Sequence, residues 1–268
     1  MGEALYTLED GNFRPSDLTV GPWSDQAQHG GPVAALLART VEAVPSEVPV
    51  QTVRLTIELI RPVPLVPMTT TATVARPGKK VQLIDASLTA GDQEVARARA
   101  LRIRSSPIAV PEQVPNPPSP PPPNASVDAE ESEAGVRRTA FAGAVDLRFL
   151  RGSWESVGPA KVWSRLVVPV VAGERSSPLQ QVAALADFGN GISRVLDFST
   201  HIFINPDLTV SLYRLPEGPW IGFDMVSRVS GQGYGQAESL IFDVHGPVGR
   251  SVQSLFIEKR ADTSISPA

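Results

Sequence analysis

The stretch Leu55-Thr56-Ile57-Glu58-Leu59-Ile60-Arg61 reads again as Leu208-Thr209-Val210-Ser211-Leu212-Tyr213-Arg214. Both segments have the alternating rhythm of a half-buried strand. Downstream, Val74-Ala75-Arg76 and Ser87-Leu88 fall on Val226-Ser227-Arg228 and Ser239-Leu240. Two copies of one unit are therefore expected. Carried along the chain with small register shifts, the pairing sets Asp187 against Ala38, Asn205 against Thr52 and Gln253 against Ala100. One copy reads as scaffold, and the other keeps polar side chains where chemistry would sit.

Each copy reads as a helix followed by strands. Pro32 to Val41 is rich in helix formers and apolar on a wide face, with Gly30-Gly31 before it and Pro32 suited to a first helical turn. Strands are predicted from Val53 to Ile60, Met68 to Val74, Val81 to Leu88 and Val95 to Ile103, with turns at Pro77-Gly78 and Ala90-Gly91-Asp92. In the second copy Ser177-Pro178 caps a helix running from Leu179 to Phe188, which Gly189-Asn190-Gly191 is expected to stop. Strands follow at Leu208 to Tyr213, Trp220 to Val229, Gly235 to Asp243 and Gly249 to Glu258. A single helix needs cover on its apolar face, which a curled antiparallel sheet supplies. The fold class is thus α+β, with a sheet wrapped around a long central helix in each half.

The halves are expected at 1–106 and 139–268, separated at 107–138 by a proline-rich and then acidic linker. The run from Pro107 to Asn124 suits an extended polyproline spacer, with an SH3 or WW ligand as the other reading. Ala125 to Ala134 has too few large apolar residues to fold by itself.

The 268 residues carry a net charge of −4, and no basic cluster exceeds Gly78-Lys79-Lys80, which argues against a nucleic-acid surface. No apolar run approaches the ~20 residues needed to span a bilayer. The start, Met1-Gly2-Glu3-Ala4-Leu5-Tyr6, lacks a basic region followed by an apolar one, so a cytoplasmic location is expected. The absence of cysteine excludes disulfides, thiolate metal sites and a cysteine nucleophile. No Gly-x-Ser-x-Gly elbow occurs, and no His or carboxylate spacing suits zinc. Gly231-Gln232-Gly233-Tyr234-Gly235 lies between strands with no helix after it, so it reads as a hairpin and not as a dinucleotide loop.

Gln28-His29-Gly30-Gly31-Pro32 opening the first helix, Leu185-Ala186-Asp187 in the second, Asn205-Pro206-Asp207-Leu208-Thr209 entering a strand and Ser251-Val252-Gln253 in the last strand carry a resemblance. In their order and spacing they resemble the acyl-CoA thioesterase II (TesB-like) branch of the double-hotdog thioesterases. The resemblance implies hydrolysis of acyl-CoA without metal or organic cofactor. It also implies that an acidic residue, a Thr or Ser, and a Gln hold the attacking water, roles that fall on Asp187, Asn205 and Gln253. Asn205 departs from the hydroxyl pattern, although an amide also donates to and accepts from water.

Each of these residues has a plainer reading. Asp187, among Val182, Ala183, Ala184 and Ala186, is either a carboxylate removed from water or a solvated aspartate at a helix end. Gln253 orients water or is a surface strand residue, and Asn205-Pro206 is also an ordinary turn signal. His29, Gly30 and Gly31 either offer backbone amides to a thioester oxyanion or pantetheine, or serve tight packing. His201 and His245 read as solvated loop or turn residues. The leading function is acyl-CoA thioesterase, and the alternative is an acyl-CoA or lipid-binding protein without turnover. A hotdog hydratase lacks its Asp-x-Asn-x-x-His pattern here, because no histidine follows Asp187-Phe188-Gly189-Asn190. Further pairing of sheet edges leaves a homo-oligomer open.

Overall fold

The computed structural model describes residues 3–110, 118–122 and 140–260. The first repeat comprises a hairpin of β1 (Tyr6–Glu9) and β2 (Asn12–Pro15), helix α1 (Gly30–Glu42), then β3 (Val50–Leu59), β4 (Thr69–Arg76), β5 (Val81–Ala90) and β6 (Gln93–Arg104). The second opens with β7 (Val145–Arg151) and β8 (Ala160–Leu166), followed by helices α2 (Pro178–Ala186) and α3 (Gly189–Ile192). It closes with β9 (His201–Ile204), β10 (Asp207–Leu212), β11 (Ile221–Val229), β12 (Tyr234–Asp243) and β13 (Gly246–Lys259).

Among the described residues, β3 to β13 make one antiparallel sheet of 11 strands, ordered β4-β5-β6-β3-β10-β13-β12-β11-β8-β7, with β9 also on β13. The four central strands of each repeat run in mirrored order about the β3–β10 seam. At that seam Thr56 lies opposite Thr209, and the Thr209 hydroxyl donates to the Thr56 hydroxyl at 3.3 Å. These two residues are also superposed when Leu55 is read on Leu208. A residue can face its own repeat mate only if the copies are related by a two-fold axis through that pair, so the sheet register bears out the sequence repeat.

Burial follows the alternation. Leu55 and Ile57 of β3 and Leu208, Val210 and Leu212 of β10 point inward with Val33, Leu36, Leu37 and Val41 of α1 and Val182 and Leu185 of α2. The two helices pack side by side inside the curled sheet, and fully burying each large aliphatic side chain contributes about 1.5–3 kcal/mol. Residues 231–235 include the turn between β11 and β12, as the hairpin reading expects.

Three features differ from the sequence reading. The second helix does not run on through Phe188 to a stop at Gly189-Asn190-Gly191: it breaks after Ala186 and resumes as α3 over Gly189–Ile192, so this half has no single long central helix. His201 begins strand β9. The hairpin β1–β2 and strands β7 and β8 have no counterpart in the predicted meander, because they are short or lie at the periphery. The β1 strand also crosses to the second repeat, where the Tyr6 amide donates to the Val170 carbonyl at 2.9 Å.

Of the linker, Pro121 is held by its carbonyl, which accepts from Trp163 Nε1 at 2.9 Å. The acidic stretch from Ala125 to Ala134 lies outside the described residues. Among the described residues no helix is long and apolar enough to cross a membrane.

Candidate active site

The break in the second helix is where the polar residues gather. Gln253, on β13, inserts its amide into the gap: its Nε2 donates to the Asp187 carbonyl at 3.3 Å, and its Oε1 accepts from the Asn190 amide at 3.1 Å. Both backbone groups are thereby satisfied outside the helical ladder, which is a recognised cause of a helix interruption. Gly189 makes room for this, since a Cβ there would stand 2.7 Å from Gln253 Oε1. The first repeat carries Ala100 at the position of Gln253, has no amide to insert, and keeps α1 continuous through Ala38.

Asp187 sits at this break with its side chain 3% exposed. Its Oδ1 accepts from Asn205 Nδ2 at 2.8 Å and from Gln253 Nε2 at 3.2 Å. Its Oδ2 lies 2.8 Å from His29 Nδ1, across from the other repeat. The solvated-aspartate and surface-glutamine readings therefore do not apply, as both residues are buried. His29 is the N-cap of α1, and its Nδ1 also lies 3.1 Å from the Gly31 amide. One ring nitrogen serves one of these partners at a time. The contact with a carboxylate is the stronger, so Nδ1 carries the proton and donates to Asp187. The Gly31 N–H at the start of α1 is then left without a strong acceptor, and His29 Nε2 has no partner among the described residues.

Asn205 is placed by a bulge. Strand β9 pairs with β13 as Ile204 opposite Phe256, and β10 as Thr209 opposite Val252, so the register slips by one residue across Asn205-Pro206. The same slip occurs between Thr52 and Arg54 in β3, at the repeat-equivalent place. The bulge is thus a property of the repeat, and only the second copy uses it to aim a side-chain amide at a carboxylate. The second Nδ2 hydrogen of Asn205 goes to the Asp207 carbonyl at 3.1 Å, and its Oδ1 accepts from Asn190 Nδ2 at 3.3 Å.

Two glycines set the approach of the helices. A Cβ on Gly30 would lie 2.7 Å from Asp187 Oδ2, so Gly30 is what lets the carboxylate reach the start of α1. A Cβ on Gly31 would lie 2.5 Å from the Ala184 carbonyl oxygen and 2.6 Å from the Phe141 ring. Backbone of α2 cannot yield as a flexible side chain would. Gly31→Ala is therefore expected to cost about 1–3 kcal/mol of stability, read as a lowered urea midpoint with an unchanged slope.

A cavity of about 770 Å³ opens on this cluster and is lined by His29, Gly30, Asp187, Asn190 and Asn205 together with Trp23, Arg61, Phe141, Trp154 and Phe188. Gln253 does not line it and stands behind Asp187. Phe141 and Phe188 stack at 5.1 Å, and both flank the His29 ring at 4.9 and 5.1 Å. The site thus combines a buried carboxylate, an imidazole and amide groups beside an aromatic, largely apolar chamber, a composition suited to a largely apolar small molecule.

Asp187, Asn205, Gln253, His29 and Gly30 converge, with Gly31 one residue further along α1. Sequence reading missed Asn190 and Gly189, taken there as helix terminators. The available signal was the three-residue spacing of Asp187 and Asn190, which places both on one helical face. Phe141 and Phe188 gave no signal, since isolated aromatics next to a helix read as core.

Two fused sheet-and-helix repeats related by a two-fold axis, with one polar site formed between the start of α1 and the end of α2, define a double-hotdog protein. An acyl-CoA thioesterase N-terminal domain model matches residues 19–103 and the corresponding C-terminal domain model matches residues 111–257. The chain belongs to the acyl-CoA thioesterase family. Among solved structures it resembles a conserved protein of unknown function with a hot dog fold from Alicyclobacillus acidocaldarius, with 17% identity, TM-score 0.69 and 96% of both chains covered. It also resembles acyl-CoA thioesterase II TesB2 from Mycobacterium marinum, with 16% identity, TM-score 0.62, and 97% of this chain and 96% of that one covered. A tesB protein of Mycobacterium avium subspecies paratuberculosis gives 12% identity and TM-score 0.66 over 92% of each chain. These likenesses establish the fold. No curated protein matches the chain.

Proposed function

We propose that the protein hydrolyses acyl-CoA thioesters at the Asp187 site, without a metal or organic cofactor. The observation that carries this reading is the buried Asp187 carboxylate at the wall of an apolar cavity, held by His29 from one repeat and by Asn205 and Gln253 from the other. Water bound beside Asp187 and Asn205 attacks the thioester carbonyl and gives its proton to the Asp187–His29 pair, while Gln253 fixes the carboxylate from behind. The amide of Gly30, which lines the cavity at the start of α1, is the donor offered to the developing oxyanion, with Gly31 behind it; preorganised donors are most effective there. As the carbon–sulfur bond breaks, the proton passes to the departing thiolate, giving a free acid and CoA thiol.

A second reading, acyl-CoA binding without turnover, is favoured by one detail: both Nδ2 hydrogens of Asn205 are already engaged, by Asp187 and by the Asp207 carbonyl. Thiol release from a panel of short, medium and long acyl-CoAs separates the two. Steady release on any member supports hydrolysis, whereas saturable binding with no thiol formed would move the assignment to a binding protein.

A further inference from the structure

The repeat places one arginine at two equivalent positions with different fates. Arg61 and Arg214 close the duplicated strand motif, and each follows the strand that forms the central seam. Arg214 is neutralised: it makes paired hydrogen bonds of 2.5 and 2.6 Å to Asp243, whose side chain is fully buried. Asp243 ends strand β12, and the residue ending the equivalent strand β5 is Ala90. Arg61 therefore has no counterpart to Asp243. No carboxylate or side-chain acceptor binds its guanidinium among the described residues, and Arg61 lines the cavity that contains Asp187.

The surroundings sharpen the contrast. Among the described residues, Arg61 is the one Lys or Arg lining that cavity. Arg194 and Arg260 lie nearby in the fold but do not line it; Arg194 donates to the Trp154 and Glu155 carbonyls, and Nε of Arg260 to the Phe198 carbonyl. A smaller surface cavity of about 460 Å³ surrounds Arg214 at the opposite end of the β3–β10 seam. Its lining includes Val53, Ile103, Tyr213 and Leu215, the repeat mates of Pro206, Phe256, Ile60 and Pro62 at the larger cavity. The two cavities are thus copies of one mouth: at the smaller, which Arg104 also lines, the repeat-equivalent Arg214 is paired with Asp243, and at the larger Arg61 has no such carboxylate among the described residues.

We propose that Arg61 is the anion-recognition residue at the mouth of the catalytic cavity, and that it binds a phosphate group of the CoA portion of the substrate. This rests on the acyl-CoA reading above. A guanidinium suits the role because it stays charged and offers paired donors to phosphate oxygens. On a chain with a net charge of −4, a polyanionic ligand needs such a local cation to approach the site.

Calorimetric titration with free CoA and with pantetheine, which keeps the thiol arm but lacks the phosphates of CoA, tests the proposal without requiring turnover. Arg61→Met is expected to weaken CoA binding about tenfold, as for loss of one charge-assisted contact, and to leave pantetheine binding unchanged. Unchanged pantetheine binding also shows that the cavity is still folded. Equal weakening of both ligands, or no weakening of CoA, would overturn the assignment. A third titration, with glutaryl-pantetheine, separates the other source of an anion: weakening there, with CoA unaffected, would assign Arg61 to a carboxylate on the acyl group and reject the phosphate. Arg61-dependent CoA binding in a protein that releases no thiol would uphold the proposal and sink the hydrolase reading, and turnover with Arg61-independent CoA binding would do the reverse.

Discussion

Asp187→Asn is expected to lower thiol release by about 10²–10⁴-fold while the protein stays folded. The substitution is nearly isosteric, so its effect is one of protons. Oδ1 of the new amide can still accept from Asn205 and Gln253, but the atom facing His29 Nδ1 becomes an N–H donor. The imidazole must then present Nδ1 as an acceptor and carry its proton on Nε2. The variant loses the carboxylate as a base and also shifts His29 to the tautomer that carries its proton on Nε2. This is the logic by which an orienting aspartate matters in other triads. Steady-state thiol release and a thermal melt on the same preparation check it. Turnover within about threefold of wild type in a folded variant would remove Asp187 from the mechanism.

The largest expected effect on stability lies at Asp243. Its carboxylate accepts both donors of Arg214 and the amides of Glu217 and His245, the last two at 2.8 Å. Burial pulls its pKa upward, but those hydrogen bonds and the Arg214 charge outweigh burial and hold it below the ordinary carboxylate value. Asp243→Ala strands a half-buried guanidinium and two amides, and is expected to cost about 3–5 kcal/mol, the range for breaking one side of a buried ion pair. The sign of the pH dependence follows from the depressed pKa. The stabilisation from Asp243 ionisation is present in full above the unfolded-state carboxylate value of about 4 and is lost as pH falls through the lower folded-state value. Urea titrations at neutral pH and at pH about 3 should therefore show a smaller gap between wild type and variant in acid. A gap that stays constant would mean that packing, not charge, supports this corner.

The same pair shows why some features were legible in the chain and others were not. The duplication of Leu55-to-Arg61 as Leu208-to-Arg214 is written in local alternation, and alternation also sets which residues point inward. Hence the four main strands of each repeat and the contrast of Asp187 with Ala38 could be read before any coordinates, whereas the seam that sets Thr56 opposite Thr209 came from the folded sheet. The fates of the two arginines could not, because whether a guanidinium is free depends on what stands at the end of another strand 29 residues away.

The split helix has the same character. Leu179 to Phe188 carries good helix formers, and propensity alone continues the helix to the glycine pair. Gln253, 66 positions from Asp187, overrides it by taking over a carbonyl and an amide that the ladder would have used. By itself, then, the sequence determined the repeat, the inward faces of the strands, and the copy that retains polar chemistry, because these are periodic and local. The tertiary structure decided the break at Asp187, the proton partner supplied by His29 from the other repeat, the bulge that aims Asn205, and the absence of a carboxylate beside Arg61 among the described residues. Each of those depends on two segments distant in the chain meeting in a register that only the folded sheet imposes.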